Sequence, residues 1–154
     1  MVCKLTIKKA DTNDCIDVFN WRNNPESRKM FIISRKVGWD EHKEWFKNSL
    51  LNPRKVLLIC YDEFKEKVGI VRFDIESKQT LISINLNPLK RGQGLSSQCL
   101  TESIKFFNSN YNLKGRIVAI VKEENIRSIK SFRSSGFILT NKKNGKNYLE
   151  LKTI

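Results

Sequence analysis

The sequence predicts one α/β domain, in which a mixed, twisted and partly splayed sheet of about six to seven strands is flanked by helices. The chain of 154 residues has the usual length of one domain and shows no linker, repeat or low-complexity tract. Its apolar periodicity changes repeatedly between the patterns of strands and helices. A strand–loop–helix–strand stretch in the middle predicts that part of the sheet is parallel. Residues 1–154 are therefore expected to form a single domain.

The strands are predicted from their apolar patterns. Residues 56–61 and 116–121 are apolar almost throughout, which is typical of buried strands. Residues 79–87 alternate between apolar and polar side chains, which is typical of a strand with two unlike faces. The remaining strands are predicted over 2–9, 66–75, 137–140 and 147–152. Turns are predicted at 62–65 and 144–145.

Helices are predicted where apolar residues recur with a period of about 3.6. These segments are 12–23, 40–51, 96–109 and 125–135. Asp11 or Thr12 is expected to cap the first helix, Asn24-Pro25 to stop it, and Asp40 to cap the second helix. The segment between these two helices, 25–38, is expected to be irregular.

The composition is that of a soluble globular protein, with 40% hydrophobic and 29% charged residues. No apolar run is long enough to span a membrane, and the N-terminal stretch lacks the apolar segment of a signal peptide, so a cytoplasmic location is expected. One histidine, His42, and four scattered cysteines make no ordinary zinc site, so no metal is expected. The cysteines are expected to be small buried hydrophobic residues; they are Cys3, Cys15, Cys60 and Cys99.

The formal net charge of +13 predicts attraction to an anionic partner. Nucleic acid, a nucleotide cofactor, a nucleotide-linked substrate and an acidic surface all fit this charge. The lysines are spread along the whole chain, so a solubilising surface is also open as an interpretation. Charge alone therefore does not select a partner.

The segment 87–97 joins an alternating strand to an amphipathic helix through a basic, glycine-rich turn. Gly92 and Gly94 allow a positive φ and a close approach of the backbone to a ligand. Backbone N–H groups there, together with the helix N-terminus, form a site for phosphate oxygens. The segment lacks both the G-K-[ST] of a Walker loop and the third glycine of a dinucleotide fingerprint. Further charge and hydroxyl donors come from Lys90, Arg91, Ser96 and Ser97.

The pattern Arg91-x-x-Gly94-x-Ser96 resembles the pyrophosphate-binding loop of the GNAT N-acetyltransferases, whose signature is Q/R-x-x-G-x-G/A. Serine stands here where the family has glycine or alanine. The resemblance implies an acetyltransferase that uses acetyl-coenzyme A (acetyl-CoA) as donor, without a metal. It implies coenzyme A contacts at Leu86, Arg91, Gly92, Gln93, Gly94, Leu95, Ser96 and Ser97.

A later segment resembles the family motif in which an asparagine opens a helix and Gly-Phe ends it, here Gly136-Phe137. Asn125, Ser128 and Phe132 are spaced at i, i+3 and i+7, so they share one helix face. The resemblance implies that this face lines the pantetheine arm and the thiol end of the cofactor. The two motifs stand in the order of the family, with a predicted strand between them.

Segments 21–23, 42–46 and 68–74 are similar to acetyltransferases of sialic-acid-like sugar pathways. These include the pseudaminic-acid pathway enzyme that acetylates the 4-amino group of a UDP-linked 4-amino-sugar, and the resemblance implies such an acceptor. Ribosomal-protein N-terminal acetyltransferases share parts of the same layout. Arginines suit phosphate through their bidentate fork, although surface ion pairs are equally open. The acceptor-binding candidates are Arg22, Asn23 and Arg72.

The transfer needs a base that takes the proton of the acceptor amine. His42, Asp74 and Glu76 are the candidates, and we favour His42 and Asp74. A histidine, with a pKa of about 6.5, suits proton acceptance at neutral pH. Because His42 lies on the apolar face of its helix, a packed histidine is an equally open interpretation. Asp74 is also open to solvation or to pairing with Arg72.

The transfer also needs donors for the thioester carbonyl and a route for the departing thiolate. The resemblance points to a backbone N–H around Leu86 and Asn87 for the carbonyl. The family usually has a tyrosine acid where this sequence has Phe132, which cannot donate a proton. Water or Ser128 is the substitute that the sequence offers.

Two alternatives remain open. The acceptor of an acetyltransferase could be a protein N-terminus or lysine, or the chain could be a non-catalytic acetyl-CoA-binding module. RNA binding through the basic surface lacks a supporting motif. The expected partner is thus a small-molecule nucleotide-sugar, with no nucleic acid and no membrane. The sequence leaves the oligomeric state open, with a homodimer as the candidate assembly.

Overall fold

The computed structural model describes residues 4–111 and 115–151. The strands are β1 (Thr6–Lys9), β2 (Lys55–Tyr61), β3 (Lys67–Ile75), β4 (Gln79–Leu86), β5 (Arg116–Lys122), β6 (Phe137–Lys143) and β7 (Lys146–Leu151). The helices are α1 (Cys15–Asn23), α2 (Pro25–Met30), α3 (Trp39–Leu51), α4 (Ser96–Asn110) and α5 (Ile126–Ser134). Short 3₁₀ turns occupy Thr12–Asp14 and Pro88–Lys90.

The seven strands form one mixed sheet in the order β1-β2-β3-β4-β5-β7-β6. Only β4 and β5 run parallel among the described strands, and they pair solely at their starts, where residues 79–81 meet 116–118. Beyond these three pairs the two strands diverge and leave a wedge-shaped opening in the sheet. This splay confirms the predicted sheet and creates a place for a ligand at its centre, outside the C-terminal half of β4.

The sheet buries a different core on each face, because strand side chains alternate. Along β2, Val56, Leu58 and Cys60 pack on the side of α4 and α5, whereas Leu57 and Ile59 pack on the side of α1 and α3. The apolar stripe of α4 is buried as its spacing predicts, at Cys99, Leu100, Ser103, Ile104 and Phe107. The two helical layers therefore hold the sheet from both sides and leave the splay as its one break among the described strands.

Most predicted elements are confirmed within a few residues, but the expectation of an irregular segment over 25–38 is wrong for its first six residues, which form α2. Asn24 ends α1 and also caps α2, because its Oδ1 accepts from the N–H groups of Glu26 and Ser27, and Pro25 occupies the first helical turn. The same two residues that stop one helix thus start the next.

The predicted cap at Asp40 is also wrong, because Gly38 holds the N-cap position of α3 and Asp40 lies in the first turn. Asp11 does cap the entry to α1, in a reciprocal capping box with Asp14. Cys60 and Cys99 are fully buried as expected, whereas Cys15 is half-buried. Cys3 and the ends of the first and last predicted strands, residues 2–3 and 152, lie outside the described residues.

Within residues 4–111 and 115–151, no helix is long and apolar enough to cross a membrane. The same ranges contain no group of three or more histidine, cysteine, aspartate or glutamate side chains that could hold a metal ion.

Candidate functional site

Two clefts meet at the splay between β4 and β5. The first, which we call the loop cleft, has a volume of about 410 Å³ and is bounded by Glu26, Ser27, Leu86, Arg91, Gly92, Ser96, Arg127 and Ser131. The second, the arginine cleft, has a volume of about 290 Å³ and is bounded by Val18, Arg22, Trp45, Arg72, Ser83, Lys122 and Phe132. Both clefts are lined by Met30, Phe31, Ile84, Asn85, Asn125 and Ser128. This shared set, the junction, makes the two clefts contiguous, and we call the combined opening the channel.

A glycine-containing turn borders the loop cleft at Gly92. Gly92 and Gly94 take φ values of 74° and 70°, as the sequence predicts. A Cβ on either would meet nothing within 4 Å, so these glycines are required for the turn and not for close packing. The loop leads into α4, where Leu95 holds the N-cap position without a side-chain hydrogen bond to the helix. A helix N-terminus of this kind leaves its first N–H groups to an anionic ligand.

Two guanidinium groups add positive charge to the loop cleft. Burial lowers the pKa of Arg91, and the nearby Arg127 lowers it further. Neither arginine forms an ion pair within the described part of the chain, and the one carboxylate in the cleft lining, Glu26, pairs with Lys29 at 3.4 Å. Arg127 was missed by the sequence analysis, although its place two residues after the cap Asn125 puts it in the first turn of α5. The loop cleft therefore fits a phosphate-bearing ligand.

Several predicted cofactor contacts are placed differently. The Ser96 hydroxyl is hydrogen bonded to that of Ser131, and the Ser97 hydroxyl donates to the Ser131 carbonyl at 3.5 Å, so both join α4 to α5. Leu95 is 5% exposed and packs in the core, and Gln93 is exposed outside both clefts. At Leu95, Ser96 and Ser97 the side chain is thus engaged by the protein, which leaves the backbone to serve a ligand.

Lys90 is the other correction in this loop. Its ammonium lies 3.0 Å from Asp62 Oδ2 and 3.2 Å from Glu66 Oε1, so it fastens the loop to the turn between β2 and β3. The hydrogen bond with Asp62 raises the pKa of Lys90. Its charge is thus neutralised by the protein and is not directed at a ligand.

The end of β4 offers backbone donors to the junction. The Asn87 N–H donates to Val68 O at 2.8 Å, so it is engaged by β3 and cannot serve a ligand, in contrast to the expectation. Backbone groups of alternate residues in an antiparallel strand face the same neighbour. Those of Leu86 therefore face away from β3, toward the splay, where no strand pairs with them among the described residues. Of the two predicted carbonyl donors, only Leu86 is oriented for the role.

The arginine cleft is built around one tryptophan. The guanidinium groups of Arg22 and Arg72 each lie 5.2 Å from the centre of the Trp45 ring, within the range of a cation–π interaction. Arg72 also donates from Nε to Ser83 Oγ at 3.3 Å. Burial lowers the pKa of both arginines. Neither forms an ion pair with a described residue, so two desolvated cations face the cleft without a carboxylate.

Asn23, the third acceptor-binding candidate, has a structural position instead. Its Nδ2 donates to Val37 O at 2.8 Å, and its Oδ1 accepts from Val37 N at 2.9 Å. Both polar atoms of the side-chain amide are therefore hydrogen-bonded to Val37, and Asn23 lines neither cleft. The expectation that it binds the acceptor is therefore not supported by the geometry. It anchors the segment 31–38, which runs along the arginine cleft, to α1.

His42 is fully buried and lines neither cleft. Its Nε2 lies 3.0 Å from the carbonyl oxygen of Cys15, and Nδ1 has no partner within the described ranges. Four aromatic rings surround the imidazole: Phe19, Trp39, Trp45 and Phe46. Burial lowers the pKa of His42, which keeps the ring neutral. The geometry favours the packed histidine over a general base.

The acidic candidates also lie outside both clefts. Asp74 is 3.6 Å from Lys55 Nζ, so its partner is Lys55 and not Arg72. Glu76 accepts a hydrogen bond from Gln79 in the turn that leads to β4. No aspartate, glutamate or histidine is found among the residues that line the arginine cleft. Within the described chain, the arginine cleft therefore has no carboxylate or imidazole that could accept a proton.

The face of α5 that was predicted to line the cofactor does border the channel. Asn125 caps the helix by accepting from Ser128 N at 3.2 Å, and both residues belong to the junction. Phe132 borders the arginine cleft but is only 2% exposed, with its ring edge against Phe137 at 5.0 Å. The position where the family usually has a tyrosine acid is therefore a packed phenyl ring.

Comparison with known proteins identifies the family. Residues 4–138 match the acetyltransferase (GNAT) domain, and the chain belongs to this family. Membership confirms the predicted superfamily, and with it the predicted class of acyltransferase at the level of the family. The fold class is confirmed as well.

Individual relatives are distant. The chain is 28% identical over 142 residues to an uncharacterized protein of Methanocaldococcus jannaschii, a match that covers 90% of this chain and 29% of that protein. The chain therefore spans less than a third of this relative's length. The crystal structure of a domain from the same organism has a TM-score of 0.82 at 27% identity, covering 97% of this chain and 99% of that domain.

A spermidine N-acetyltransferase from Vibrio cholerae, crystallised with CoA and spermine, has a TM-score of 0.81. Its sequence identity is 16%, with 95% of this chain and 92% of that chain covered. At this identity the similarity shows the fold alone.

Proposed function

We propose that this protein is an acetyl-CoA-dependent N-acetyltransferase whose acceptor is the primary amine of a nucleotide-linked amino-sugar, namely the 4-amino group of a UDP-4-amino-4,6-dideoxy-sugar. The observation that carries the proposal is the channel. Within the described chain, the loop cleft has two arginines without an ion pair, and at Asn85, Asn125 and Ser128 it joins the arginine cleft, which has two more. Two anionic molecules can thus meet in the splay.

On the donor side, the loop cleft would hold the phosphates of acetyl-CoA through Arg91, Arg127 and the N-terminus of α4. Acetyl-CoA would supply the acetyl group as a thioester. The N–H of Leu86 at the edge of the splay would bind the thioester carbonyl. The GNAT neighbour that was crystallised with CoA supports a cofactor in this fold.

On the acceptor side, the charge of the arginine cleft favours an anion. Its lining contains the cations Arg22, Arg72 and Lys122 and no carboxylate within the described chain. A polyamine such as spermine would meet like charges here, which disfavours that acceptor class for this chain. A nucleoside diphosphate supplies phosphate oxygens that match the guanidinium fork. Trp45 adds an aromatic surface beside them.

The identity of the sugar rests on the resemblance of segments 21–23, 42–46 and 68–74 to enzymes of sialic-acid-like sugar pathways. Arg22, Trp45 and Arg72, which form the arginine cleft, all fall within these segments. A cytoplasmic location, where nucleotide sugars and acetyl-CoA are available, and a homodimeric assembly remain parts of the proposal.

The test is CoA release from acetyl-CoA with a panel of amines. The panel contains UDP-4-amino-4,6-dideoxy-sugars, the same amino-sugars without the nucleotide, spermidine, peptides with free N-termini or lysines, and a control without acceptor. Release with a nucleotide-sugar far above that with the free sugar supports the proposal. Release of CoA with peptides alone would indicate a protein acetyltransferase. No release with any amine, in a protein that binds CoA, would favour the non-catalytic binding module.

A further inference from the structure

Five serines border the two clefts, and four of their hydroxyl groups already have protein partners. Ser27 accepts from Arg91 and Ser83 from Arg72, while Ser96 and Ser131 are bonded to each other. The Ser128 hydroxyl has no hydrogen-bond partner among the described residues, and its side chain is half-buried. The structure therefore leaves one cleft serine free to act on a ligand within the described chain.

The free hydroxyl lies where a thioester would react. Ser128 belongs to the junction, the zone common to the loop cleft and the arginine cleft. A donor held by its phosphates in the loop cleft, with its acetyl group offered to the arginine cleft, must place its sulfur in that zone. The backbone of Ser128 is fixed, because Asn125 Oδ1 accepts from its N–H at 3.2 Å. Only the hydroxyl rotates, so it can turn toward the sulfur.

We propose that the Ser128 hydroxyl donates a hydrogen bond to the sulfur of the departing thiolate, an inference that rests on the proposed function. In the transfer a C–N bond forms to the acceptor amine and the C–S bond breaks. The sulfur keeps the electron pair, and the proton of the amine leaves to water. The hydrogen bond stabilises the negative charge as it develops on sulfur, and Phe132 has no polar group that could do so.

The charged groups around the junction are cationic apart from one carboxylate. They are Lys122 from β5, Arg91 from the loop, Arg127 from α5, Arg22 from α1, Arg72 from β3 and Glu26 from α2. These cations also favour a thiolate, so the test must separate their effect from that of the hydroxyl. Single substitutions at Ser128 leave all six charges in place and so make this separation.

The first measurement needs no acceptor. CoA is bound to the protein and its thiol is titrated by the ultraviolet absorbance of the thiolate. In the wild type the pKa of the bound thiol is expected below that of free CoA titrated in the same buffer. Ser128→Ala is expected to raise it by about one to two pH units, the loss of one hydrogen bond to a charged group. Ser128→Thr keeps the hydroxyl and is expected to restore the low value.

Ser134→Ala is the matched control, because Ser134 is exposed on the same helix and borders neither cleft. An equal thiol pKa in wild type and Ser128→Ala would overturn the role of Ser128 alone. Failure of the wild type to bind CoA would overturn the proposed function together with this inference. A thiol pKa that rises in Ser128→Ala, in a protein that acetylates none of the amines in the panel, would keep the hydrogen bond from Ser128 and overturn the acceptor assignment.

The second measurement changes the leaving group. With acetyl-CoA, Ser128→Ala is expected to lower kcat by about 10²-fold. With the acetyl selenoester of CoA, whose selenol is a stronger acid and leaves without help, the same variant is expected to lose less than about fivefold. Equal losses with the two donors would show that Ser128 acts on binding or structure and would overturn the proposal.

Discussion

The loop cleft and the arginine cleft adjoin each other but are constructed in opposite ways. The loop cleft is bounded on one side by a single continuous segment, 91–97, which holds the two positive-φ glycines and leads into the N-terminus of α4. The arginine cleft is formed by side chains from three separate elements, with Arg22 on α1, Trp45 on α3 and Arg72 on β3. A turn of this kind can be recognised from a local sequence motif. A site formed by side chains from separate elements cannot, because folding alone brings those side chains together.

The largest expected effect tests the arginine cleft as an anion site. Replacing Arg22→Gln and Arg72→Gln together is expected to lower kcat/KM for the nucleotide-sugar by about 10³-fold, since each charged hydrogen bond contributes about 1.5–3 kcal/mol. For the same amino-sugar without its nucleotide the loss is expected to stay within about threefold. Initial rates of CoA release with the two acceptors make the comparison.

A control must remove the same charge elsewhere. Lys43→Gln with Lys47→Gln takes two cations from the exposed surface of α3, the helix that carries Trp45. This pair is expected to change kcat/KM by less than about twofold, because exposed charges are screened by salt. If the arginine variant lost kcat/KM equally for the nucleotide-sugar and the free sugar, the two arginines would not bind the nucleotide. The arginine cleft would then not be an anion site.

A smaller effect is expected from the backbone of the loop cleft. Gly94→Ala forces a side chain onto a residue with φ of 70°, which costs about 1–2 kcal/mol. Because the ligand-binding turn requires that conformation, the Kd for CoA is expected to rise about tenfold. Gly38→Ala is the matched control, since Gly38 has φ of −73° and open space around its Cβ. Calorimetry that gives equal Kd values for both variants would contradict a backbone site.

The same contrast explains what could be predicted from the sequence. The sheet, the buried stripe of α4 and the two positive-φ glycines follow from periodicity and from local conformational rules, and the structure confirms them. The structural role of Asn23 could not be predicted, because its hydrogen-bond partner Val37 lies 14 residues away in a segment without helical or strand periodicity. Arg127 and α2 were missed although each has a local signal, a first-turn cation and the cap Asn24-Pro25.

His42 shows why the chemistry of a residue does not decide its role. Its type suggests a base, but tertiary packing places it in an aromatic cluster. His42→Gln keeps a donor near the Cys15 carbonyl and removes the titrating ring. It is expected to change kcat at neutral pH by less than about twofold. A fall in kcat of more than about 10²-fold would instead support His42 as the general base.

The stability of the wild type should depend on pH through His42 in a defined direction. Burial lowers the pKa of His42, so below about 6.5 the unfolded chain binds a proton that the folded chain excludes. The free energy of unfolding of the wild type is therefore expected to fall as the pH drops below about 6.5 and to be flat above it. His42 is the single histidine of the chain, so His42→Gln should remove this slope between about pH 6.5 and 5.5. Urea titrations at several pH values measure it, and an unchanged slope would contradict the buried neutral histidine.

The finest comparison lies within the loop cleft itself, where two adjacent cations differ in their partners. Arg91 faces the cleft without an ion pair, whereas Lys90 is held by Asp62 and Glu66. Arg91→Gln is expected to weaken CoA binding about tenfold, through the loss of one charged hydrogen bond. Lys90→Gln is expected to leave the Kd within about twofold and to lower the melting temperature slightly, since it frees the loop from the β2–β3 turn. If Lys90→Gln raised the Kd for CoA as much as Arg91→Gln, the loop would attract phosphate through its total charge. The positions of individual groups in the loop would then not matter, and this contrast with the arginine cleft would be wrong.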